Sequence, residues 1–358
     1  MTRRILCKIL LVVVAIFGLF VLSGVLLAQG NSETAFERVK AVQERHTDTL
    51  MGIKGVVGTA VGLDGSNGHV VIVLVEKEGL AGIPNNLGGV PVRPVVTGKI
   101  YALPKPDNPG ASGKPPKPDP VDRTARFARP VPIGVSTGHP AITAGTIGCR
   151  VKDASGNVYA LSNNHVYANE NSATIGDAVI QPGTYDGGKS PADDIGTLAD
   201  FEPIVFYDYY NPPVPISTNT MDAAIALSST SLLGKATPSD GYGTPKSTTA
   251  PAPFNASVKK YGRTTGLTKG KIWASNATVD VGYDAGTARF VGQIIISPGT
   301  FSAGGDSGSL VVLDGGKGRN QADDRKPVGL LFAGSSSVTI ACPIDLVLNR
   351  FEVSVDGE

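Results

Sequence analysis

One serine of this chain stands in a setting that can make its hydroxyl reactive. Residues 304–309 read Gly-Gly-Asp-Ser-Gly-Ser, and the apolar run 310–313 follows directly. A serine hydroxyl is a weak nucleophile at neutral pH. It needs a neighbouring base and backbone N–H groups that stabilise an oxyanion. Glycines before the serine permit a tight turn that aims N–H groups inward. The pattern therefore predicts Ser307 as a nucleophile.

A candidate base precedes this serine in the chain. Histidines occur at positions 46, 69, 139 and 165, and only His165 follows an apolar run (158–161) and lies in an Asn-rich turn, Ser162-Asn163-Asn164-His165-Val166. A histidine held at the end of a strand can take the proton of a serine hydroxyl. The histidine precedes the serine, and residue 309 is Ser, so the nucleophile elbow of α/β-hydrolases does not fit.

The acid that would orient His165 is best sought beside a buried strand. Asp222 is followed at once by the apolar run 223–227, and a carboxylate at the mouth of such a strand is costly unless it is paired. A histidine N–H is a suitable partner. Asp193, Asp194 and Asp200 lie in turn-rich sequence and remain alternatives.

The elements that must position these residues are short strands. From residue 131 to 358, apolar runs alternate with Gly, Asn, Asp and Pro, and the chain contains 45 Gly and 26 Pro. This spacing predicts a mainly β domain, a barrel or a sandwich. The runs are 147–151, 158–161, 223–227, 293–296, 310–313 and 328–332. Residues 343–350 predict one closing helix.

Two further segments precede this domain. Residues 31–102 begin with a capping box at Thr34 and Glu37 and continue with the apolar runs 56–61, 70–75 and 90–96. They predict a helix and a short sheet, a small α/β module without an obvious catalytic set. Residues 103–130 are rich in Pro and predict an extended linker.

The first 30 residues have the character of an export signal. A basic start precedes the uncharged stretch 9–28, and polar residues follow. A cleaved signal peptide and an uncleaved membrane anchor both fit. The protein is thus expected to be exported, either secreted, periplasmic or at the cell surface. It would be anchored in a membrane only if residues 9–28 are not cleaved off.

Charge and cysteine content give little support for nucleic-acid, metal or cofactor binding. The formal net charge of +1 gives no electrostatic argument for a nucleic-acid partner. The sequence has neither a Cys/His cluster with zinc spacing nor a phosphate-binding loop, and we expect no metal and no cofactor. After signal removal, Cys149 and Cys342 remain, either as one disulfide or as two buried thiols.

His165, Asp222 and Ser307, in that order, resemble the catalytic triad of the chymotrypsin/trypsin-like serine endopeptidases. The resemblance covers about residues 131–350 and implies a double β-barrel. It also implies an acyl-enzyme mechanism with the N–H groups of Gly305 and Ser307 as the oxyanion hole.

Residues 260–267, Lys-Tyr-Gly-Arg-Thr-Thr-Gly-Leu, resemble a segment of the secreted bacterial members. That likeness implies an ion pair between Arg263 and Asp306. The chain is also similar to a trypsin-like group that includes plant narrow-leaf proteins.

The same resemblance implies a substrate pocket. Phe301 and Ser302 fall at its base, and Phe332, Ala333 and Gly334 along its edge. The absence of an acid at the base implies a preference for an apolar or small residue before the cut bond. Phe332 stands where the family usually has Ser. Because of this difference, the resemblance does not fix how this edge contacts the substrate strand.

Two functions therefore compete. The first is an exported serine endopeptidase acting on a protein or peptide substrate, with residues 31–102 as a pro-region or a regulatory module. The second is a catalytically silent or latent protease-fold protein that uses this module to recognise a partner. The complete set of triad and oxyanion residues favours the enzyme. The oligomeric state leaves no signature in the sequence.

Overall fold

The computed structural model describes residues 34–102, 121–316 and 321–358. The predicted signal segment and most of the Pro-rich linker lie outside these ranges. The helices are α1 (34–51), α2 (Asn164–Tyr167) and α3 (Ile344–Arg350). The strands are β1 (Val56–Leu63), β2 (His69–Val75), β3 (Asn86–Leu87), β4 (Val90–Val96), β5 (Ile100–Ala102), β6 (Ser136–Thr137), β7 (Gly145–Thr146), β8 (Cys149–Lys152), β9 (Val158–Ser162), β10 (Ala178–Ile180), β11 (Asp194–Phe201), β12 (Thr218–Asn219), β13 (Ala224–Ser228), β14 (Ser257–Gly262), β15 (Gly266–Gly282), β16 (Thr287–Ser297), β17 (Leu310–Leu313), β18 (Pro327–Gly334), β19 (Thr339–Pro343) and β20 (Ser354–Val355).

Six strands of the C-terminal half close into a barrel. Around the ring the order is β14, β15, β16, β19, β18, β17 and back to β14, and every neighbouring pair is antiparallel. Closure removes the unpaired edges that an open sheet would expose. Val258, Ile272, Ile296 and Val311 meet in one apolar cluster inside this half. The strands predicted at 293–296, 310–313 and 328–332 are confirmed.

The other half is a six-stranded sheet in the order β10-β11-β13-β9-β8-β20. β9 and β13 lie side by side, with Ser162 paired to Ala224. The residues that follow β9 and precede β13 are therefore brought to the same place, and these are His165 and Asp222. The mainly β, chymotrypsin-like double β-barrel predicted from the sequence is confirmed, as is the closing helix α3.

The N-terminal helix and sheet form as predicted, and the sheet continues into the C-terminal barrel. β1 pairs with β2 on one side and with β15 on the other, with Gly58 opposite Val279. β2 alternates between two cores: Val71 and Val73 face the cluster that includes Val39 of α1, whereas Ile72 and Leu74 face the cluster shared with the barrels. This period of two is that of a strand buried on both faces. The segment 34–102 thus shares backbone pairing and core with the barrel.

The last strand of this segment, β5, leaves the N-terminal sheet and inserts into the C-terminal barrel. It runs parallel to β15, with Ile100 opposite Val281, and antiparallel to β18, with Ala102 opposite Ala333 and Tyr101 opposite Gly334. Ile100 and Ala102 are fully enclosed in the shared core. No sequence pattern predicts this strand, because three residues carry no periodicity.

The described end of the Pro-rich segment is bound to the barrels. Arg126 forms an ion pair with Asp193, and Nη2 of Arg123 donates to the carbonyl of Thr264 at 3.1 Å. Arg123 is buried. Asp193 therefore binds Arg126 and is not the carboxylate that orients His165, the role for which it was an alternative to Asp222.

Of the two alternatives for the cysteines, the structure has the buried thiols and not the disulfide: Cys149 and Cys342 are both free and buried. Cys149 lies in β8 and Cys342 in β19, so they belong to different barrels. Burial raises the pKa of the Cys149 thiol to about 12. It also raises that of Cys342, whose sulfur accepts the N–H of Asp222 at 3.3 Å. Both cysteines therefore act as small apolar residues of the core.

Among the residues that the structure describes, no helix is both long and apolar enough to cross a membrane. The stretch 9–28, predicted as a signal peptide or an anchor, lies outside them.

Candidate active site

His165 and Asp222 form a buried pair at the junction of β9 and β13. The single turn of α2 places the imidazole so that its Nδ1 lies 2.6 Å from Oδ2 of Asp222. The Asn163 side chain donates to the Asp222 carbonyl at 2.7 Å, which locks the two loops together. Asp222 is fully buried and His165 nearly so. The predicted pairing of these two residues is therefore present in the structure.

The pairing fixes which imidazole nitrogen is basic. Because Nδ1 donates its proton to the carboxylate, Nε2 carries the lone pair. Nε2 is buried, and within the described ranges it has no hydrogen-bond partner. A buried acceptor of this kind is costly to leave unpaired and suits a group that receives a proton during a reaction.

Tyr283 is a third member of the site that sequence analysis missed. Its Oη donates to Oδ2 of Asp222 at 2.9 Å. Burial and, next, the negative charge of Asp222 raise the pKa of Tyr283 well above its usual value, so the phenol remains a donor. Tyr283 directly follows β15, far from His165 in sequence. Its position after a long buried strand is the only local signal that could have indicated it.

Ser307 is held in place by backbone groups of Phe332 and Thr146. Its Oγ donates to the Phe332 carbonyl at 3.4 Å, and its own carbonyl accepts the N–H of Thr146 at 2.8 Å. Gly308, at φ +89°, has no room for a side chain: a Cβ there would lie 2.1 Å from Oγ of Ser162. The nucleophile loop is thereby packed directly on the strand that leads to His165.

The glycine before Asp306 shapes a candidate oxyanion site. Gly305 has a φ of +89°, and a Cβ would lie 2.7 Å from Oγ1 of Thr264. That hydroxyl donates to the Gly304 carbonyl at 2.6 Å. Because the peptide unit is planar and trans, the N–H of Gly305 points away from this carbonyl. Oγ1 of Thr146 holds the Gly305 carbonyl at 2.9 Å.

The predicted ion pair between Arg263 and Asp306 is wrong: Asp306 does pair with a cation, but that cation is not Arg263. Asp306 pairs instead with Lys260, with Nζ 3.2 Å from Oδ2, and both side chains are fully buried. Burial opposes ionisation of Asp306. The charge of Lys260 and hydrogen bonds from Thr265 and Thr264 overcome this and lower the pKa of the carboxyl. β-Strand alternation explains the choice, since Lys260 and Gly262 share the face of β14 that meets Asp306.

Arg263 binds a different carboxylate. Its Nε lies 2.9 Å from Oδ2 of Asp186, and its guanidinium stacks 5.3 Å from the ring centre of Tyr185. Asp186 belongs to a short 3₁₀ turn, Thr184–Asp186, in the other half of the molecule. The arginine therefore links the two barrels instead of bracing the nucleophile loop.

The predicted pocket residues do not form one cavity wall. Phe301, expected at its base, packs inside the C-terminal barrel with Val258 and Ile272. Oγ of Ser302 lies 2.6 Å from Oγ1 of Thr339. Phe332 meets Ser307 through its backbone, while its ring lies 4.7 Å from that of Phe290. Ala333 and Gly334 pair with β5.

Two cavities border the site. One of about 480 Å³ lies beside His165 and is lined also by Ile142, Thr143, Glu170 and Asp284. The other, of about 650 Å³, lies between β5 and an aromatic segment and is lined by Tyr101, Tyr207, Tyr209, Tyr210 and Tyr283. No group of His, Cys, Asp and Glu in the described part of the chain is arranged to hold a metal ion.

Comparison with known proteins gives a partial family match. Residues 252–341 match the family described as the Nal1 C-terminal domain. This range contains Ser307, Asp306 and Lys260, and it excludes His165 and Asp222. A comparison with curated protein sequences finds no match.

Several solved serine proteases are similar to this chain. Protease A of Thermobifida fusca is 18% identical, covers 64% of this chain and 99% of its own, and has a TM-score of 0.43. The Nocardiopsis protease is 18% identical, with 63% and 98% covered and a TM-score of 0.41. A glutamic-acid-specific serine protease is 19% identical, with 63% and 100% covered and a TM-score of 0.43. At these identities the likeness concerns the fold, which the strand pairings establish independently.

Proposed function

We propose that this protein is an exported serine endopeptidase. The proposal rests first on the 2.6 Å contact between Nδ1 of His165 and Oδ2 of Asp222, which leaves a buried Nε2 without a hydrogen-bond partner among the described residues. The loop of Ser307 packs on the strand that leads to this histidine. A histidine oriented by a carboxylate and presenting a basic nitrogen is the group that a serine nucleophile requires.

The reaction that this arrangement supports is acyl transfer. Oγ of Ser307 attacks the peptide carbonyl while Nε2 of His165 takes the hydroxyl proton. The C–N bond then breaks as the imidazolium returns that proton to the leaving amine, and water releases the acyl group by the same steps. Asp222 holds the tautomer and stabilises the imidazolium. The N–H groups of Gly305 and Ser307 stabilise the oxyanion, each contributing about 10²- to 10³-fold in rate.

Hydrolysis of peptides tests this function. We expect the purified protein to cleave unfolded protein or peptide substrates, with an apolar or small residue before the cut bond. Replacing Asp222 by Asn should reduce kcat about 10⁴-fold, because the carboxylate fixes the imidazole tautomer. Asp200→Asn is the matched control, since Asp200 pairs with Arg350 at the surface. Equal loss in both variants would refute the assigned role of Asp222.

Export is the second part of the proposal and rests on residues 1–30. The mature protein isolated from a secreting host should begin near residue 29 if only a signal peptide is removed. A start near residues 120–135 would instead make the 31–102 segment a cleaved pro-region. N-terminal sequencing distinguishes the two, and protein beginning at Met1 in the cytoplasm would contradict export.

The second candidate function is the latent or silent protease fold. The observation that favours it is the position of β5, which occupies part of the edge of β18 next to Ser307. A silent protein would fail to react with serine-directed probes under every condition, whereas a latent enzyme reacts with a small probe and, once the edge is cleared, with a peptidyl probe as well.

A further inference from the structure

The edge of β18 next to the nucleophile is taken by a strand of the same chain. On one side, β19 pairs with Ala333 and Gly334 of β18. On the other side, β17 pairs with β18 only as far as Leu330. β5 takes the remaining length of that edge, with Ala102 opposite Ala333 and Tyr101 opposite Gly334.

The direction of β5 leads towards Ser307. Because the pairing is antiparallel, β5 advances from Gly334 to Ala333 as its own chain runs from Tyr101 to Ala102. The next residue of β18 in that direction is Phe332, whose carbonyl accepts the Ser307 hydroxyl at 3.4 Å. An extended peptide that delivers its carbonyl to Ser307 from this edge must run with the same polarity, along the same backbone groups.

Several contacts hold β5 in place. Ile100 and Ala102 are buried in the core shared by both barrels, and β15 pairs with the other side of β5 at Val281 and Gly282. Gly282 leaves space for the Tyr101 ring, since a Cβ there would lie 2.8 Å from Cδ1 of Tyr101. β5 is therefore an integral strand with backbone partners on both sides.

We propose that β5 is an internal occupant of the edge that binds the substrate backbone, and that it closes this edge to extended peptides until residues 100–102 are displaced. The inference rests on the proposed function. The cavity of about 480 Å³ beside His165 has no β5 residue in its lining, so a small reagent that enters it approaches His165 without displacing β5.

A reversible cross-link tests the proposal. Directly opposed residues of antiparallel strands have Cα atoms about 4.5–5.5 Å apart, which suits a disulfide. The double variant Ala102→Cys/Ala333→Cys locks β5 when oxidised and frees it when reduced. Two probes are compared on this protein: a small alkyl fluorophosphonate, and a tripeptidyl phosphonate that requires the β18 edge.

The expected result is a difference between the probes. The small fluorophosphonate should label oxidised and reduced protein at equal rates, whereas the tripeptidyl phosphonate should label the reduced form at least about tenfold faster. Wild type and each single-cysteine variant should show no redox dependence, because Cys149 and Cys342 are buried. Equal tripeptidyl rates in both redox states would overturn the proposal. Absence of labelling by either probe would instead refute the proposed function.

A second variant opens the edge directly. Ala102→Asp places a carboxylate where the side chain is fully buried, and the cost of burying that charge should shift the population by at least about tenfold towards displaced β5. The tripeptidyl rate should rise by that factor over wild type. Val96→Asp, at an exposed site in β4 of the same sheet, is the matched control and should leave the rate unchanged. Equal tripeptidyl rates for Ala102→Asp and Val96→Asp, with normal labelling by the small probe, would overturn the proposal.

Discussion

At the scale of single residues, the proposed chemistry depends on Asp222. Its carboxylate accepts from Nδ1 of His165 at 2.6 Å and from the hydroxyl of Tyr283 at 2.9 Å, and its side chain is fully buried. A hydrogen bond to a charged group contributes about 1.5–3 kcal/mol when buried. Tyr283 thus positions Asp222 and moderates its negative charge, and it acts on the reaction through His165.

Removing the Tyr283 hydroxyl should therefore lower the rate without weakening substrate binding. We expect Tyr283→Phe to lower kcat about tenfold with little change in KM, because the hydroxyl touches Asp222 and not the substrate. Tyr159→Phe, which removes a similar bond to Asp153 at the surface, is the control. An unchanged kcat in Tyr283→Phe, or a rise in KM alone, would contradict the positioning role.

At the scale of elements, the nucleophile loop is braced by a lysine from β14. Lys260 and Lys259 are neighbours on opposite faces of this strand. Lys260 pairs with buried Asp306, and Lys259 pairs with Asp314 and Asp324 near the surface. Burial lowers the pKa of Lys260, and the charge of Asp306 opposes this effect. The pair supplies the loop with a cation from β14, so no liberated N-terminal amine is required.

Substitution of these two lysines separates their roles. Lys260→Met leaves Asp306 buried without its cation, which should cost roughly 3–5 kcal/mol in the free energy of unfolding and abolish labelling of Ser307. Lys259→Met should cost about 1 kcal/mol or less and leave labelling intact. Urea unfolding together with probe labelling measures both effects. Normal labelling of Lys260→Met would show that the loop is ordered by other contacts.

The same pair predicts a loss of stability in acid. The folded pKa of Asp306 is lowered, so its contribution is complete above the unfolded value of about 3.9 and is lost as the pH falls through the folded pKa. Between pH 5 and pH 2, the unfolding free energy of wild type should fall more steeply than that of Asp306→Asn. Parallel curves for the two proteins would contradict this assignment.

The sequence predicts elements well where a local pattern exists. Apolar runs bounded by Gly and Asn indicate β1, β2, β4, β17 and β18 nearly to the residue, and a strand start places Asp222 beside His165. β5 and the contacts of Tyr283 and Lys260 depend on pairing between distant segments, which a local pattern does not encode. The Arg263 partner is wrong for the same reason, because it requires a distance between separate elements. For that reason too, the sequence left open whether Cys149 and Cys342 form a disulfide or remain thiols.

At the scale of the whole molecule, the N-terminal sheet and the barrels are one continuous assembly. β1 pairs with β15, β5 lies between β15 and β18, and Ile72, Leu74 and Ile100 share a core with the barrels. Cleavage within 103–120 leaves these noncovalent contacts in place. Release of the N-terminal segment would expose both an apolar core and an unpaired edge.

A cut chain should therefore stay together. After cleavage at a protease site engineered into the Pro-rich segment 103–120, the two fragments should co-elute in size-exclusion chromatography without denaturant. Intact mass would confirm the cut. Separation of the fragments under native conditions would show that the N-terminal segment is a detachable pro-region.

The intact mass of the protein after reaction with a small fluorophosphonate tests most directly whether Ser307 is the nucleophile of a serine endopeptidase. We predict one adduct on wild type, mapped to Ser307 by peptide analysis, no adduct on Ser307→Ala, and strongly slowed labelling of His165→Ala. A folded wild-type protein that acquires no adduct, or an adduct on another serine that persists in Ser307→Ala, would contradict the assignment of a serine endopeptidase.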